Sequence, residues 1–219
     1  KKELCIYGDF EDLKEDILNI YPKANSVEVD NIILFYRLKV IKGYYYKENI
    51  SIAFMFEFYL KYLNKKSILI SEDTYEDLVE DIESYFGPLS FTKSVRNISA
   101  ILDRLDGIIL VDSRTYQHID HCGLDEEKID RLEEIVDEGL EVYDTLTSDR
   151  LYGKLLNEGF YELTSKHHAY FLVKYYFLDK YVFSNKNSLT IYKSEEDRNS
   201  NITIIEELLL KYDHPVKIN

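Results

Sequence analysis

Apolar positions recur along the chain at two spacings. Their alternation predicts an α/β fold: a mixed sheet flanked by helices, with a smaller α+β C-terminal region. Leu4 to Gly8 reads as a strand. Asp9 caps a helix from Phe10 to about Tyr21 that turns Leu13, Ile17 and Ile20 inward and stops at Pro22. The β-branched residues from Val27 to Asp30 and from Ile32 to Ile41 predict paired strands, and Tyr44 to Lys47 a third beyond Gly43. Asn49 or Ser51 opens a helix to about Leu63 that is apolar around most of its circumference, so it should be largely buried. Ser67 to Ile70 is a strand.

Ser71 and Thr74 start a helix to Phe86 with Leu78, Val79, Ile82 and Phe86 facing inward. Strands are expected at Leu89–Phe91 and Ile108–Asp112, with a helix from Ser94 to about Leu105 between them. Asp125 caps a long helix to about Tyr143, striped by Ile129, Leu132, Val136, Leu140 and Tyr143. Thr145 to Asp149 reads as a linker, dividing a domain over 1–146 from a region over 147–219. In the latter, Leu151–Leu156 and Phe160–Leu163 suggest a hairpin. Ser165 starts a helix to about Tyr181, apolar all round. Ser188–Lys193 is a strand, and Ile202–Tyr212 a last helix.

Charge adds a surface character to this outline. The chain of 219 residues carries 41 acids against 27 bases, a formal charge of −14. Nucleic acid binding requires clustered Lys and Arg, so the balance argues against direct nucleic acid contact and against an anionic membrane. It favours a basic protein partner. The acids concentrate on two helices. Glu72, Asp73, Glu76, Asp77, Glu80, Asp81 and Glu83 form one face without a base. Residues 126–141 carry eight acids relieved within the helix only by Lys128 and Arg131. Asp77, Asp81, Glu134 and Glu138 represent the expected partner contacts. Cys5, in an apolar run, and Cys122 suggest neither a disulfide framework nor a zinc knuckle. The most apolar run, Ile50 to Leu63, is too short to span a bilayer, and no targeting peptide is read at the start. The expectation is a soluble cytoplasmic protein.

Candidate chemistry concentrates in Asp106–Cys122, where a buried strand ends in Asp112, Arg114, His118, Asp120, His121 and Cys122. Ligands in open α/β sheets sit beyond the carboxyl ends of strands. Asp112, His118, Asp120 and His121 supply the ligand types of a divalent transition metal, which could activate water for phosphoester hydrolysis while Arg114 steadies phosphate charge. Arg114 and His121 also resemble the arginine-x6-histidine pair of HEPN ribonucleases, which implies a catalytic role for both. The alternative is a polar loop whose His and Asp side chains cap the next helix. His167-His168 opens an apolar helix, one ring toward the core edge and the other toward solvent.

From Asp9 to Ile70 the expected order is helix, three strands, helix, strand. This resembles the core of the PD-(D/E)xK nuclease-like fold. Asp30 matches its first acid, and Arg37-Leu38-Lys39 falls where its acid-x-Lys triplet stands, with Arg37 in place of the second acid. A guanidinium cannot coordinate a cation, so the resemblance implies a nuclease fold without nuclease activity. In size, acidity and element order the chain is similar to the archaeal TATA-binding-protein-interacting proteins, which implies a module that occupies a basic groove. Leu151-Tyr-Gly-Lys-Leu with Phe160-Tyr-Glu-Leu-Thr resembles the small N-terminal domain of tRNA-splicing endonuclease subunits. Ile109-Leu-Val-Asp-Ser-Arg resembles a strand of DHH-type phosphoesterases, although the Asp-His-His triplet is absent.

Together these readings predict a non-enzymatic acidic regulatory protein, without cofactor, that binds a basic surface of a nucleic-acid-associated protein. The alternative is a metal-dependent phosphoesterase or nuclease built on the Asp112–His121 cluster. A homodimer packed through Tyr170, Phe171, Tyr175 and Tyr176 is a third expectation.

Overall fold

The computed structural model describes residues 7–184 and 189–198. It shows an α/β chain of small antiparallel sheets flanked by helices, packed as two compact units, Lys1–Ile108 and Ile109–Asn219. The division falls within a strand, and the expected linker near 146 is instead a short strand running into a helix. Cys5 and the helix expected over 202–212 lie outside the described residues.

The first unit opens with β1 (Tyr7–Asp9) and α1 (Phe10–Ile20). The Asp9 carboxylate accepts from Glu11 N at 2.8 Å, satisfying a free helix-start amide as its sequence position predicts. α1 buries Leu13 and Ile17, but Ile20 stays 67% exposed rather than facing inward. Next comes α2 (Ser26–Phe35), where strands were expected. The reason is local. Asn25 Oδ1 accepts from Glu28 N at 3.1 Å while Glu28 Oε2 accepts from Asn25 N at 2.8 Å. This reciprocal capping box stabilises a helix start strongly enough to override the β preference of Val27, Val29, Ile32 and Ile33. Asp30 therefore sits on a helix.

β2 (Leu38–Ile41) and β3 (Tyr44–Lys47) form a hairpin whose two turn residues, Lys42 and Gly43, both have positive φ, the backbone that matches strand twist. The sheet order is β1-β3-β2. One face places Leu38 and Tyr45 with Leu13, Ile17, Val29 and Ile33 in a common core. Tyr45 crosses Gly8 so closely that a Cβ there would lie 3.0 Å from its ring, which explains the glycine. On the other face Tyr7, Tyr44 and Tyr46 meet α3 (Ile52–Phe58) and the π-helical turn that continues it, Tyr59–Leu63. Tyr44 stacks on Tyr62 with centroids 4.3 Å apart. β4 (Ile68–Leu69), α4 (Tyr75–Phe86) and α5 (Val95–Leu102) complete the unit. Leu89–Phe91 forms no strand.

The second unit starts at β5 (Ile108–Asp112), beside β6 (Thr115–His118) across the two-residue turn Ser113-Arg114. After a 3-10 turn, Ile119–His121, α6 (Glu126–Tyr143) buries Leu132, Ile135, Val136, Gly139 and Leu140. β7 (Thr145–Thr147) leads into α7 (Ser148–Asn157), a helix where a hairpin was expected. Leu151 and Leu155, four apart and both buried, set the helical period, and Gly153 is tolerated within it. α8 (Lys166–Tyr176) buries Tyr170, Leu172 and Val173. It ends earlier than predicted, which frees Tyr181 to reach Asp137. β8 (Val182–Phe183) and β9 (Thr190–Tyr192) join β7 in the order β7-β9-β8.

Candidate functional site

The end of β5 is tied to the start of α8. The Val111 carbonyl accepts from Thr164 Oγ1 at 2.8 Å and Ser165 Oγ at 2.7 Å. Ser165 in turn caps α8 by accepting from the His167 and His168 amides. Two serine/threonine hydroxyls thus satisfy a strand carbonyl and a helix start together.

Around this knot the predicted residues separate. Asp112 is exposed, accepts from Ser113 N at 2.7 Å, and lies 3.8 Å from His167 Nδ1. Arg114 is exposed in the turn with φ 55°. His118 turns inward, 2% exposed, and its Nδ1 accepts from Asp120 N at 3.2 Å, so the ring caps the 3-10 turn. Asp120 Oδ1 stands 3.6 Å from the same Nδ1. The His121 ring centroid is 5.9 Å from that of His118. Among the described residues no three His, Cys, Asp or Glu side chains gather at a spacing that could hold a metal ion. Cys122 is buried, and desolvation with the nearby Asp120 charge pushes its thiol up to about 12, away from thiolate chemistry.

His168 is the titratable group the sequence undervalued. It is 3% exposed, its Nδ1 accepts from Thr164 N at 3.3 Å, and its Nε2 is buried without a hydrogen-bond partner among the described residues. Burial lowers its pKa to about 4, with Glu162 opposing. The ring is a neutral part of the unit's interior.

The two acidic helices differ in what faces them. On α6, Arg131 contacts Glu134 at 2.8 Å, Glu138 at 3.3 Å and Glu158 at 2.8 Å. Lys180 contacts Glu133 and Asp137, each at 2.7 Å, and Lys128 contacts Glu162 at 2.6 Å. Glu134 and Glu138, chosen as partner contacts, already face an internal guanidinium. On α4, Glu83 is held by Lys93 at 2.6 Å and by Leu89 N, which together lower its pKa. Asp81 accepts from Tyr59 OH at 3.0 Å. Glu72, Asp73, Glu76, Asp77 and Glu80 are exposed and form no ion pair among the described residues.

Compared with known families, curated proteins and solved structures, the chain gives no match. Its functional reading therefore stands on geometry. Among the described residues no helix is long and apolar enough to cross a membrane.

Proposed function

We propose that this chain is a non-enzymatic regulatory protein of the cytoplasm. The outward face of α4 would bind a basic surface of another protein, of the kind that handles nucleic acid. The observation that carries this reading is the run of exposed carboxylates Glu72 and Asp73, just ahead of α4, and Glu76, Asp77 and Glu80 on it, which form no ion pair among the described residues. An uncompensated run of one sign steers an oppositely charged surface into contact and sets its orientation. Proteins that handle nucleic acid carry such basic surfaces for phosphate contacts. α6 is a weaker candidate, because Arg131 and Lys180 already draw on its carboxylates.

The test is affinity capture from cell extract with wild type, Asp77→Lys/Glu80→Lys and Glu134→Lys/Glu138→Lys, each eluted by rising salt. A partner lost with the α4 pair, retained with the α6 pair, and eluted from wild type by moderate salt supports the reading. Partners held equally by all three, with one common salt dependence, would overturn it.

A further inference from the structure

The strongest uncommitted surface lies far in sequence from the acidic helices. α2 carries six large apolar side chains in ten residues, yet only Val29 and Ile33 are buried. Val27 is 64%, Leu34 72% and Phe35 80% exposed, and Ile20 and Tyr21 at the end of α1 are exposed beside them. Val27 and Leu34 share one face of a 3.6-residue helix with Asn31, and Ile32 and Phe35 share the next with Glu28, so the exposed apolar side chains run the length of α2 interleaved with two polar ones. Between the end of α1 and α2 runs a groove of about 810 Å³, lined chiefly by Ile20, Tyr21, Pro22, Ile32, Phe35 and Tyr36.

We propose that this face is where a second copy of the chain docks, across a two-fold axis, with Phe35 of each copy entering the groove of the other. Three features select a copy over a foreign partner. First, the surface supplies both halves of a contact. Protruding Leu34 and Phe35 sit on the same helix that walls the groove, which is the self-complementarity a two-fold interface requires. Second, its rim carries one charge of each sign. Lys23 and Glu28 both line the groove, and Lys23 makes no ion pair among the described residues. Inverted on itself, the face brings Lys23 of one copy toward Glu28 of the partner copy, twice over. On a chain of net charge −14, a locally balanced face is where two copies meet with least repulsion. Third, the size fits. At roughly 150–250 Å² for a whole large side chain, the exposed fractions of these residues amount to on the order of 700 Å². That exceeds the largest apolar patch of a typical monomer, about 300–600 Å², and approaches the roughly 800 Å² per partner of a standard interface. The aromatic residues of α8 are not needed for this contact, since Tyr170 is core and Phe171 and Tyr176 pack against that core.

Sedimentation velocity of the full chain between about 1 and 200 μM tests the proposal. A dimer is expected at tens of micromolar. Phe35→Glu, at a side chain the fold leaves exposed, should remain monomeric throughout with unchanged circular dichroism. Lys23→Glu should weaken association about 3- to 10-fold at low salt and by less at high salt, where the Lys23–Glu28 attraction is screened. A chain monomeric at 200 μM, a Phe35→Glu variant that still dimerises, or a Lys23→Glu variant that associates as tightly as wild type at low salt would each overturn the assignment. None of these results touches the α4 reading, whose variants lie on a different helix.

Discussion

A buried imidazole with one nitrogen unpartnered among the described residues makes His168 a residue whose protonation opposes the fold. Its pKa falls from 6.5 to about 4 on folding. Below pH 6.5 the unfolded chain takes up a proton that the folded chain refuses until about pH 4. Stability from this group is therefore intact at neutral pH and lost as pH falls through that window. Two units of proton linkage correspond to about 2–3 kcal/mol at pH 4.5. Urea unfolding at pH 7.5 and 4.5 checks this. His168→Gln should lose less stability between the two pH values than wild type, by about that amount, and an equal loss would remove His168 as the cause. Gly139 gives a second expectation. A Cβ there would lie 3.0 Å from Cδ2 of Leu146, a fully buried side chain that would have to shift by a few tenths of an ångström within the packed core. Gly139→Ala should lower the melting temperature, because overpacking of about 1–3 kcal/mol outweighs a helix-propensity gain of about 1 kcal/mol. At this scale the sequence correctly separated His167 from His168, since adjacent helical positions diverge by about 100°. It could not reveal the orphaned Nε2, because burial of that atom depends on residues far along the chain.

The elements show where pattern is sufficient and where it misleads. The caps at Asp9, Ser94, Asp125 and Ser165 were all legible, because each pairs a short polar side chain with the amides that follow it. α2 was misread although its signal was present. Asn25 and Glu28 spell a capping box, but the β-branched residues after them drew the eye to a strand. Asn25→Ala should therefore cost about 1 kcal/mol and reduce helical circular dichroism, with Asn25→Asp restoring both. A variant without effect would mean that packing of Val29 and Ile33 alone holds α2. The hairpin expected in place of α7 rests on Asn157-Glu158-Gly159 as a turn between two apolar runs, while the Leu151–Leu155 spacing that settles the matter is only one helical turn. The compensation of α6 was illegible for another reason. Lys180 stands 43 residues beyond Asp137 in the chain, and no local window brings them together.

At the scale of the whole molecule, the acidity of α4 has a consequence for stability that separates a binding face from a merely solvated one. Like charges three and four apart on a helix repel, and Glu80 has Glu76, Asp77 and Glu83 at those spacings; Glu76 and Asp77 themselves lie in the first turn, where the helix dipole favours acids. A chain of charge −14 adds its own repulsion to every further acid. A face kept for a partner holds this strain in the free protein and loses it on binding. Glu80→Lys, beyond the first turn, should then raise the melting temperature of the isolated chain by a few degrees at low salt, on the order of 1 kcal/mol, even as it weakens capture of the partner. Salt makes the comparison sharper. Raising it from about 20 to 300 mM shortens the Debye length from roughly 20 to 6 Å and screens the repulsion, so wild type should gain more stability than the variant. If Glu80→Lys is less stable than wild type at every salt concentration, that carboxylate supports the fold itself. The case for α4 as a docking face would then lose its physical basis.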